Sequence, residues 1–419
     1  MPERRESHTP KKILFFFPQN PHPPRSGAHI RCLEILRSLA YLGHDVCFTY
    51  STRYPEPGSN SETESYLKQA GISEVRCFRG SLTELLLGAA IRRANLIFNR
   101  IPPLNSYKHT PPRMRSWFRK VQADVQPDII WMNYSHNDPL IDRTLLRDTK
   151  IIIDYHDLVS INHRMLIAIR RCFSRSRPFD VVNSAVLEES FLSDLNFSVD
   201  PAEMAILASY DAIVAISKEE SENILKYNEN NPVFYLPVTF PAVNINNTYT
   251  GSAIFVTGPN AFNLQGFFYF FRKVLPAILE REKGFSLDVT GAISSDVKES
   301  PGIRLQGFIA DLGELYRSAR FAVCPVLGGT GQQIKIVEAM AYGLPVVATR
   351  YSAKTSPLIH GENGFVADNA REFAEYCVRL WRDPGLCRQM GVAARRTIRE
   401  NCGEKKIGNT LQQIIRSVE

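Results

Sequence analysis

Residues 324–349 read CPVLGGTGQQIKIVEAMAYGLPVVAT, and this stretch decides the fold. An apolar strand is predicted to end at Pro325, and the glycines within residues 328–331 allow the backbone to turn tightly and to approach a ligand closely. A helix is predicted to begin near Gln332 and to end at Gly343, before a second apolar strand. Strand, glycine turn, helix and strand in this order form the repeating unit of a parallel α/β sheet.

The start of this helix is predicted to bind an anion, because the free N–H groups at a helix N-terminus attract phosphate. Lys335 and Glu338 are three residues apart, so their side chains share one face of the helix. A carboxylate such as that of Glu338 can accept hydrogen bonds from the two vicinal hydroxyls of a ribose. The alternative is a plain strand, helix and strand unit with a surface ion pair.

The N-terminal half shows the same alternation of strands and helices. KKILFFFPQ, residues 11–19, is a continuous apolar run typical of a buried parallel strand, and a helical pattern over residues 28–42 and another strand follow it. Gly27 and Arg31 lie at the start of that helix, and His156 follows a further apolar strand by two residues. Ligands bind at the carboxyl ends of parallel strands, so these residues are candidates for a binding site.

The length of 419 residues exceeds what one hydrophobic core usually serves, so two domains are expected. Residues 237–252 are rich in proline, asparagine and threonine, which is typical of a linker, and the charged residues 158–203 favour helices of the first domain. The predicted organisation is a disordered tail over residues 1–10, a first Rossmann-like domain over 11–238, a linker over 239–251, a second Rossmann-like domain over 252–400, and a terminal helix over 401–419 that packs back on the first domain.

The composition indicates a soluble globular protein. No apolar run is long enough for a membrane helix, and no signal peptide is recognisable, so a cytoplasmic location is expected. The 8 cysteines include no CxxC pair, which favours reduced thiols over a zinc site or a disulfide framework. The net charge of +7 is concentrated near the N-terminus. There residues 91–120 combine cations with Tyr107, Trp117 and Phe118, a mixture suited to anionic lipid headgroups or nucleic acid. The alternative is a solvated basic surface.

The stretch EAMAYGLPVVAT, residues 338–349, resembles the two-glutamate motif of the family-4 glycosyltransferases. The resemblance continues through HGENGFVADNAREFAE at 360–375 and RDPGLCRQMGVAAR at 382–395, and backward through GPNAFNLQGFFYFFRKVLPAI at 258–278. In the N-terminal half, the loop and helix start at 23–46 and the segment IIIDYHDL are similar, more loosely, to the first turn and the acceptor-side histidine segment of that family.

This chain departs from the pattern of the family at several positions. The first glutamate of the motif falls on Thr330, so that only Glu338 remains of the pair. The family usually carries an arginine and a lysine after the opening strand of the second domain, whereas Pro259 and Gln265 lie near those places here. Lys335 is therefore the first candidate for the cation that meets a diphosphate.

The resemblance implies the GT-B fold, in which two Rossmann-like α/β domains face a central cleft. It also implies retaining transfer of a sugar from a nucleotide diphosphate sugar, without a metal or another cofactor. In this interpretation Lys335 neutralises the diphosphate, Glu338 holds the ribose, and His156, oriented by Asp154 or Asp157, serves the sugar or the acceptor hydroxyl. The residues expected to bind the donor, beside Lys335 and Glu338, are Gly27, Arg31, Gly258, Gly329, Thr330, Gly331, Gln332 and Ile334.

Expected partners are the nucleotide-sugar donor and a glycan, lipid-linked or small-molecule acceptor, with peripheral contact to an anionic membrane and no nucleic acid. Three other functions remain open. An epimerase or a hydrolase could use the same fold. A non-catalytic nucleotide-sugar binding protein would agree with the altered positions Thr330, Pro259 and Gln265. A nucleic-acid or membrane-surface binder would instead be built on the basic N-terminal region.

Overall fold

A computed structural model of the chain describes residues 9–24, 26–52, 59–97, 109–228, 230–240, 242–309 and 311–419. The chain forms two compact units. The first unit consists of Met1–Val159, Val199–Pro237 and Ile407–Glu419, and the second consists of Ser160–Ser198 and Val238–Lys406. Most of the predicted tail, residues 1–8, and Tyr107 of the basic stretch lie outside the described residues.

Thirteen strands occur in the described part of the chain and form two sheets. Their bounds are β1 Lys12–Phe17, β2 Asp45–Thr52, β3 Glu74–Arg79, β4 Ile129–Asn133, β5 Lys150–Tyr155, β6 Ala212–Ala215, β7 Val233–Tyr235, β8 Ala253–Val256, β9 Leu287–Thr290, β10 Ile303–Gly307, β11 Ala322–Cys324, β12 Val346–Thr349 and β13 Gly364–Ala367. All eleven pairings between these strands are parallel.

Helices connect the strands along the whole described chain. Their bounds are α1 Gly27–Tyr41, α2 Ser59–Gln69, α3 Leu82–Ile97, α4 Pro112–Val125, α5 Val159–Arg170, α6 Pro201–Leu207, α7 Lys218–Leu225, α8 Ala261–Tyr269, α9 Leu275–Arg281, α10 Gly313–Ser318, α11 Ile334–Ala341, α12 Arg350–Lys354, α13 Ala370–Arg382, α14 Pro384–Asn401 and α15 Glu404–Ser417. A π-turn over Phe270–Val274 joins α8 to α9.

The first sheet has the strand order β3-β2-β1-β4-β5-β6-β7. Its inner strands are buried on both faces, as in the run from Ile13 to Phe17, which explains why they read as continuous apolar runs in the sequence. Phe15 lies between Phe48 of β2 and Trp131 of β4 in the register. The direction of strand order reverses between β1 and β4, and ligands of doubly wound sheets bind outside the carboxyl ends at such a point.

The second sheet has the strand order β10-β9-β8-β11-β12-β13. This is the doubly wound order of a Rossmann fold, and its reversal lies between β8 and β11. The loop after β8 contains Gly258, and the loop after β11 contains residues 328–331. The topology of the second unit therefore selects the loops that the sequence had already singled out.

The predicted fold class, two Rossmann-like α/β domains, is confirmed by these two parallel sheets with flanking helices. The strand predicted within residues 11–19 is β1, and the helix predicted over residues 28–42 is α1. One segment differs: Ser160–Ser198 packs in the second unit, although its charges suggested helices of the first domain. Its apolar residues, among them Phe173 and Leu192, belong to the core of the second unit. The domain bounds otherwise stay a prediction.

All eight cysteines are free thiols, and all of them are buried except Cys77, which is half-buried. This agrees with the expectation of reduced cysteines without a disulfide framework. No helix in the described ranges combines the length and the apolar character that a membrane span requires.

Candidate functional site

The loops at the reversal point of the second sheet bring together the predicted donor residues of the second unit, apart from Gly27 and Arg31 in the first. Gly258 follows β8, residues 328–331 follow β11, and β8 and β11 are paired neighbours. α11 then starts at Ile334, two residues later than the predicted start at Gln332. Lys335 lies in the first turn of this helix, where N–H groups without helical partners and the helix dipole favour an anion.

The glycine loop has a backbone that other residues would disturb. Gly329 has a φ of +106°, in the left-handed region that favours glycine. At Gly328 an added methyl group would lie 2.3 Å from Cδ1 of Leu192 and 2.9 Å from the ring of Phe262. The loop is therefore closely covered by two apolar side chains, one of which comes from the segment Ser160–Ser198.

The same segment also supplies a polar contact to the loop. The backbone N–H of Thr330 donates a hydrogen bond to Oδ1 of Asn162 at 3.2 Å. An amide oxygen is a neutral acceptor, whereas a phosphate oxygen carries charge and accepts more strongly. A diphosphate bound at this N–H group would take the place of the Asn162 carboxamide.

Lys335 is held by neutral groups. Its Nζ donates to Oδ1 of Asn263 and lies 5.4 Å from the centroid of the Phe255 ring. The other end of the Asn263 amide donates to the carbonyl of Gly258 at 2.9 Å, which links the loops after β8 and β11. Burial lowers the pKa of Lys335, and no carboxylate of the described residues forms an ion pair with it. This ammonium is thus available as a partner for an anionic ligand.

Glu338 lies on the same face of α11 as Lys335 and is half-buried. Burial raises the pKa of its carboxyl to about 7. A group with a pKa near neutrality, at the carboxyl edge of a parallel sheet, is typical of a functional site. Glu338 can therefore accept hydrogen bonds as a carboxylate or donate one as an acid within a narrow pH range.

We expect Glu338 to make the stability of the protein depend on pH. Because its pKa is raised to about 7 from an ordinary 4.5, the folded protein keeps a proton that the unfolded chain loses in this interval. The resulting stabilisation is complete below pH 4.5 and is lost as the pH rises through about 7. Thermal unfolding of the wild type and of Glu338→Gln across this range should show the wild type losing stability relative to the variant. If the Tm of the wild type and of Glu338→Gln change in parallel with pH, the raised pKa of Glu338 is contradicted. The control is Glu314→Gln, which removes an exposed carboxylate.

One predicted donor residue, Gln332, has a structural partner that limits direct ligand contact. Oε1 of Gln332 accepts the backbone N–H of Val238 at 2.8 Å, and its side chain is buried. Ile334 opens α11, and Gly331 lies half-buried in the loop. Contact of Gly331 and Ile334 with a donor stays a prediction.

Gln265 and Pro259 lie near the two positions at which the family usually carries cations, and both are uncharged. Gln265 is buried, and its Nε2 donates to the carbonyl of Val186 at 2.8 Å, so it holds the segment Ser160–Ser198 to α8. Pro259 is exposed in the loop after β8. Neither residue can supply a positive charge, which leaves Lys335 as the candidate.

In the first unit, Arg31 and Asp154 form a buried ion pair. Nη2 of Arg31 lies 2.6 Å from Oδ1 of Asp154, and Nη1 donates to the carbonyl of Leu236. Burial alone would raise the pKa of Asp154, but Arg31 and His156 outweigh it and hold this pKa at about 2. The side chain of Arg31 is only 1% exposed and already pairs with Asp154, which favours a positioning role, and its direct contact with a donor stays a prediction. Gly27 is the first residue of α1, after the N-cap Ser26.

His156, which follows β5, belongs to the same network. Its Nε2 lies 2.8 Å from Oδ1 of Asn133 and 3.4 Å from Oδ2 of Asp154. Nδ2 of Asn133 donates to the carbonyl of Phe16, which turns Oδ1 toward the imidazole. Nε2 therefore carries the proton, and because burial lowers the pKa of His156, the neutral ring keeps a lone pair on Nδ1.

Sequence reasoning missed the residues that support these side chains. Asn133 ends β4 and Tyr134 follows it, and the ring of Tyr134 stacks on His156 at a centroid distance of 4.2 Å. The polar run NYSHND directly after the apolar strand IIWM was the signal that could have identified them. Asn162 and Asn263 carried no such signal, because each acts on a residue that is distant in sequence. Ser217 caps α7 by accepting the N–H of Glu220.

Comparisons with known proteins agree with this architecture. Residues 251–383 match the family model described as "Glycosyl transferases group 1". A Klebsiella pneumoniae protein described as "Uncharacterized 44.6 kDa protein in cps region" is 24% identical over 96% of this chain and 98% of its own length.

Two solved structures are similar over almost the whole chain. The sucrose-phosphate synthase of Thermosynechococcus elongatus has a TM-score of 0.64 at 18% identity, over 97% of this chain and 99% of its own. Anabaena HepE, solved in complex with UDP and glucose, has a TM-score of 0.60 at 13% identity, over 97% of this chain and 100% of its own. The chain therefore has the GT-B fold, and the family match to its second unit together with these neighbours supports a glycosyltransferase.

Proposed function

We propose that this protein is a retaining glycosyltransferase of family 4. It transfers a sugar from a nucleotide diphosphate sugar to a glycan, lipid-linked or small-molecule acceptor, without a metal ion. HepE binds UDP and glucose, and that complex supports a uridine nucleotide as the first donor to test. Peripheral contact with an anionic membrane remains part of the proposal.

The observation that carries this proposal is that the partners of the Lys335 ammonium are neutral groups. A buried ammonium usually pairs with a carboxylate, because burial of an unpaired charge is costly. The ammonium of Lys335 instead contacts an amide oxygen and an aromatic face. It lies at the start of a helix, beside a glycine loop. A ligand diphosphate would supply the missing charge, and the carboxylate of Glu338, one turn further along α11, suits the ribose of the same nucleotide.

The transfer step follows from these groups. The bond between the anomeric carbon and the diphosphate oxygen breaks, and the electron pair leaves with the diphosphate. The acceptor oxygen forms the new bond to the same carbon, and its proton passes to a base, for which the neutral imidazole of His156 is the candidate. Lys335, the loop amides and the start of α11 stabilise the charge that develops on the leaving group.

The test is a panel of UDP-, GDP- and ADP-sugars, with and without glycan and alkyl glycoside acceptors. We expect a glycosylated product from one donor class, with retained anomeric configuration by NMR and unchanged turnover in EDTA. Release of free sugar as the main reaction would show a hydrolase, and an epimerised donor would show an epimerase. Nucleotide binding without any turnover would indicate the non-catalytic binding protein.

A further inference from the structure

A cavity of about 410 Å³ lies at the carboxyl edge of the sheet of the first unit. Its walls are mostly apolar and include Pro18 after β1, Phe78 of β3, Leu87 and Ile91 of α3, and Met114 of α4. This volume falls within the range of small-molecule sites, which are apolar cavities with a few oriented polar groups. The cavity is therefore suited to the hydrocarbon part of a ligand.

One end of the cavity reaches the network around His156. His136 and Asn137, which follow β4, line the cavity. The ring of Tyr134 stacks between His136, at a centroid distance of 5.3 Å, and His156, at 4.2 Å. Nδ2 of Asn137 donates to the carbonyl of Asn133, whose side chain bonds His156. A single layer of side chains thus separates this end of the cavity from the candidate catalytic imidazole.

The backbone at Tyr134 supports a functional role for this end. Tyr134 has a φ of +64°, in the left-handed region that a residue with a bulky side chain rarely adopts. Such a conformation costs energy and is found at binding sites, where the surrounding contacts maintain it. It places the phenol ring between the two imidazoles.

A second cavity, of about 490 Å³, shares Phe78 and Pro112 with the first. It is lined by the cations Arg79, Arg113 and Lys120 and by Trp117. Clustered guanidinium and ammonium groups recognise phosphate and other anions. Glu84 of the apolar cavity pairs with Arg113 at 3.6 Å, but three cations outnumber this one carboxylate. The apolar cavity therefore borders a position with a net positive charge.

The sheet order separates these two ends. β3, which carries Phe78, and β4, which precedes His136, are three strand spacings apart in the order β3-β2-β1-β4, or roughly 14 Å. A ligand that fills the apolar cavity thus has one end near the His156 network and the other near the cationic cavity.

We propose that the first unit binds an amphiphilic acceptor with a hydrocarbon segment in the apolar cavity and an anionic group, such as a phosphate, at Arg79, Arg113 and Lys120. Its hydroxyl end lies toward His136 and His156. This identification of the ligand as the acceptor rests on the proposed function. The binding itself can be measured without any donor.

The exposed face of α3 provides a matched pair of variants. Leu86 and Leu87 are 62% and 59% exposed, and only Leu87 lines the cavity. An aspartate at Leu87 introduces a charge at the cavity, whereas an aspartate at Leu86 changes the helix surface alone. If a lipid bilayer covers α3 instead, the two substitutions will weaken binding to the same extent.

The experiment is calorimetric titration of the full chain with n-alkyl phosphates, from butyl to decyl phosphate, below their micelle-forming concentrations. We expect the affinity to rise about threefold to fourfold with each added methylene until the cavity is full. Leu87→Asp and the cavity-filling Ile91→Trp should abolish this dependence, and Leu86→Asp should keep it. Lys120→Gln should weaken the binding of alkyl phosphates and leave that of alkyl glucosides unchanged. Thermal unfolding checks that each variant is folded. If Ile91→Trp does not fold, Leu87→Asp decides the test, because Leu87 lies at an exposed position.

Three results would overturn the cavity assignment. These are an affinity of the wild type that is independent of chain length, unchanged binding by Leu87→Asp, and equal weakening by the variants at Leu86 and Leu87. Suppose that sugar is transferred to short hydrophilic acceptors and that the affinity for alkyl phosphates does not depend on alkyl length. This result would overturn the cavity proposal and leave the proposed function intact. If the affinity for alkyl phosphates rises with alkyl length but no donor supports sugar transfer, the proposed function is overturned. The identification of the ligand as the acceptor is then overturned with it.

Discussion

Lys335→Met is expected to lower kcat/KM for sugar transfer by roughly 10²-fold to 10³-fold, the loss typical of removing one preorganised charge-stabilising group. Methionine keeps most of the length and apolar character of the lysine and removes only its charge. The Nζ contacts with Asn263 and the Phe255 ring hold the ammonium in position, so the charge is preorganised for the leaving diphosphate. The measurement is initial-rate kinetics with the donor that the panel identifies, together with the thermal shift produced by its nucleoside diphosphate.

The stability of the same variant should not fall. Burial lowers the pKa of Lys335, which means that folding pays for desolvating this ammonium. The empty Lys335→Met protein should therefore unfold at the same or a higher temperature while it loses transfer and the nucleotide-induced shift. Lys298→Met, at an exposed position in the same unit, is the control and should behave as wild type. Unchanged transfer by Lys335→Met would exclude Lys335 as the cation that meets the diphosphate.

The elements of the fold could be predicted because their signals are local. A parallel strand that is buried on both faces reads as a short apolar run, as β1 and β4 do, and a glycine turn before α11 is visible within ten residues or so. Lys335 and Glu338 could be paired from their spacing on one helix. The strand order, by contrast, follows from how the runs assemble and was not predicted, although the resemblance implied two Rossmann-like domains.

The contacts that were missed join residues far apart in the chain. Asn162 lies 168 positions from Thr330, and Gln265 lies 79 from Val186. No periodicity links such residues, so the packing of Ser160–Ser198 in the second unit could not be predicted from its charged composition. Leu192 and Asn162 nonetheless cover the glycine loop, and a donor that reaches Thr330 must displace this segment locally.

The N-terminal candidates Arg31 and His156 are also joined by a contact between residues that are far apart in the chain. From sequence, Arg31 is a cation at a helix start and His156 a histidine after a strand, and both seem able to meet a ligand. The structure joins them through Asp154, 123 positions from Arg31. The anion that Arg31 pairs with is thus a carboxylate of the protein itself, and His156 is positioned by the same pair.

Arg31→Met is expected to destabilise the first unit by about 3 to 5 kcal/mol, because it leaves the carboxylate of Asp154 buried and unpaired. For a unit of about 200 residues this corresponds to a fall in Tm of roughly 6 to 20 °C. The loss should be largest at neutral pH and should shrink as the pH falls from the ordinary pKa of 3.8 through about 2, where Asp154 takes up a proton in the wild type. Thermal and urea unfolding across this pH range measure it.

Two further variants separate a positioning role from direct ligand contact. Arg37→Met, on the same helix, removes an arginine that is 46% exposed and pairs with Glu34, so its cost should stay below about 1 kcal/mol. The double variant Arg31→Met with Asp154→Leu should be more stable than Arg31→Met alone, since it removes the unpaired charge. If Arg31→Met keeps the stability of the wild type but loses donor binding, Arg31 contacts the donor directly, as the sequence predicted, and the positioning role is wrong.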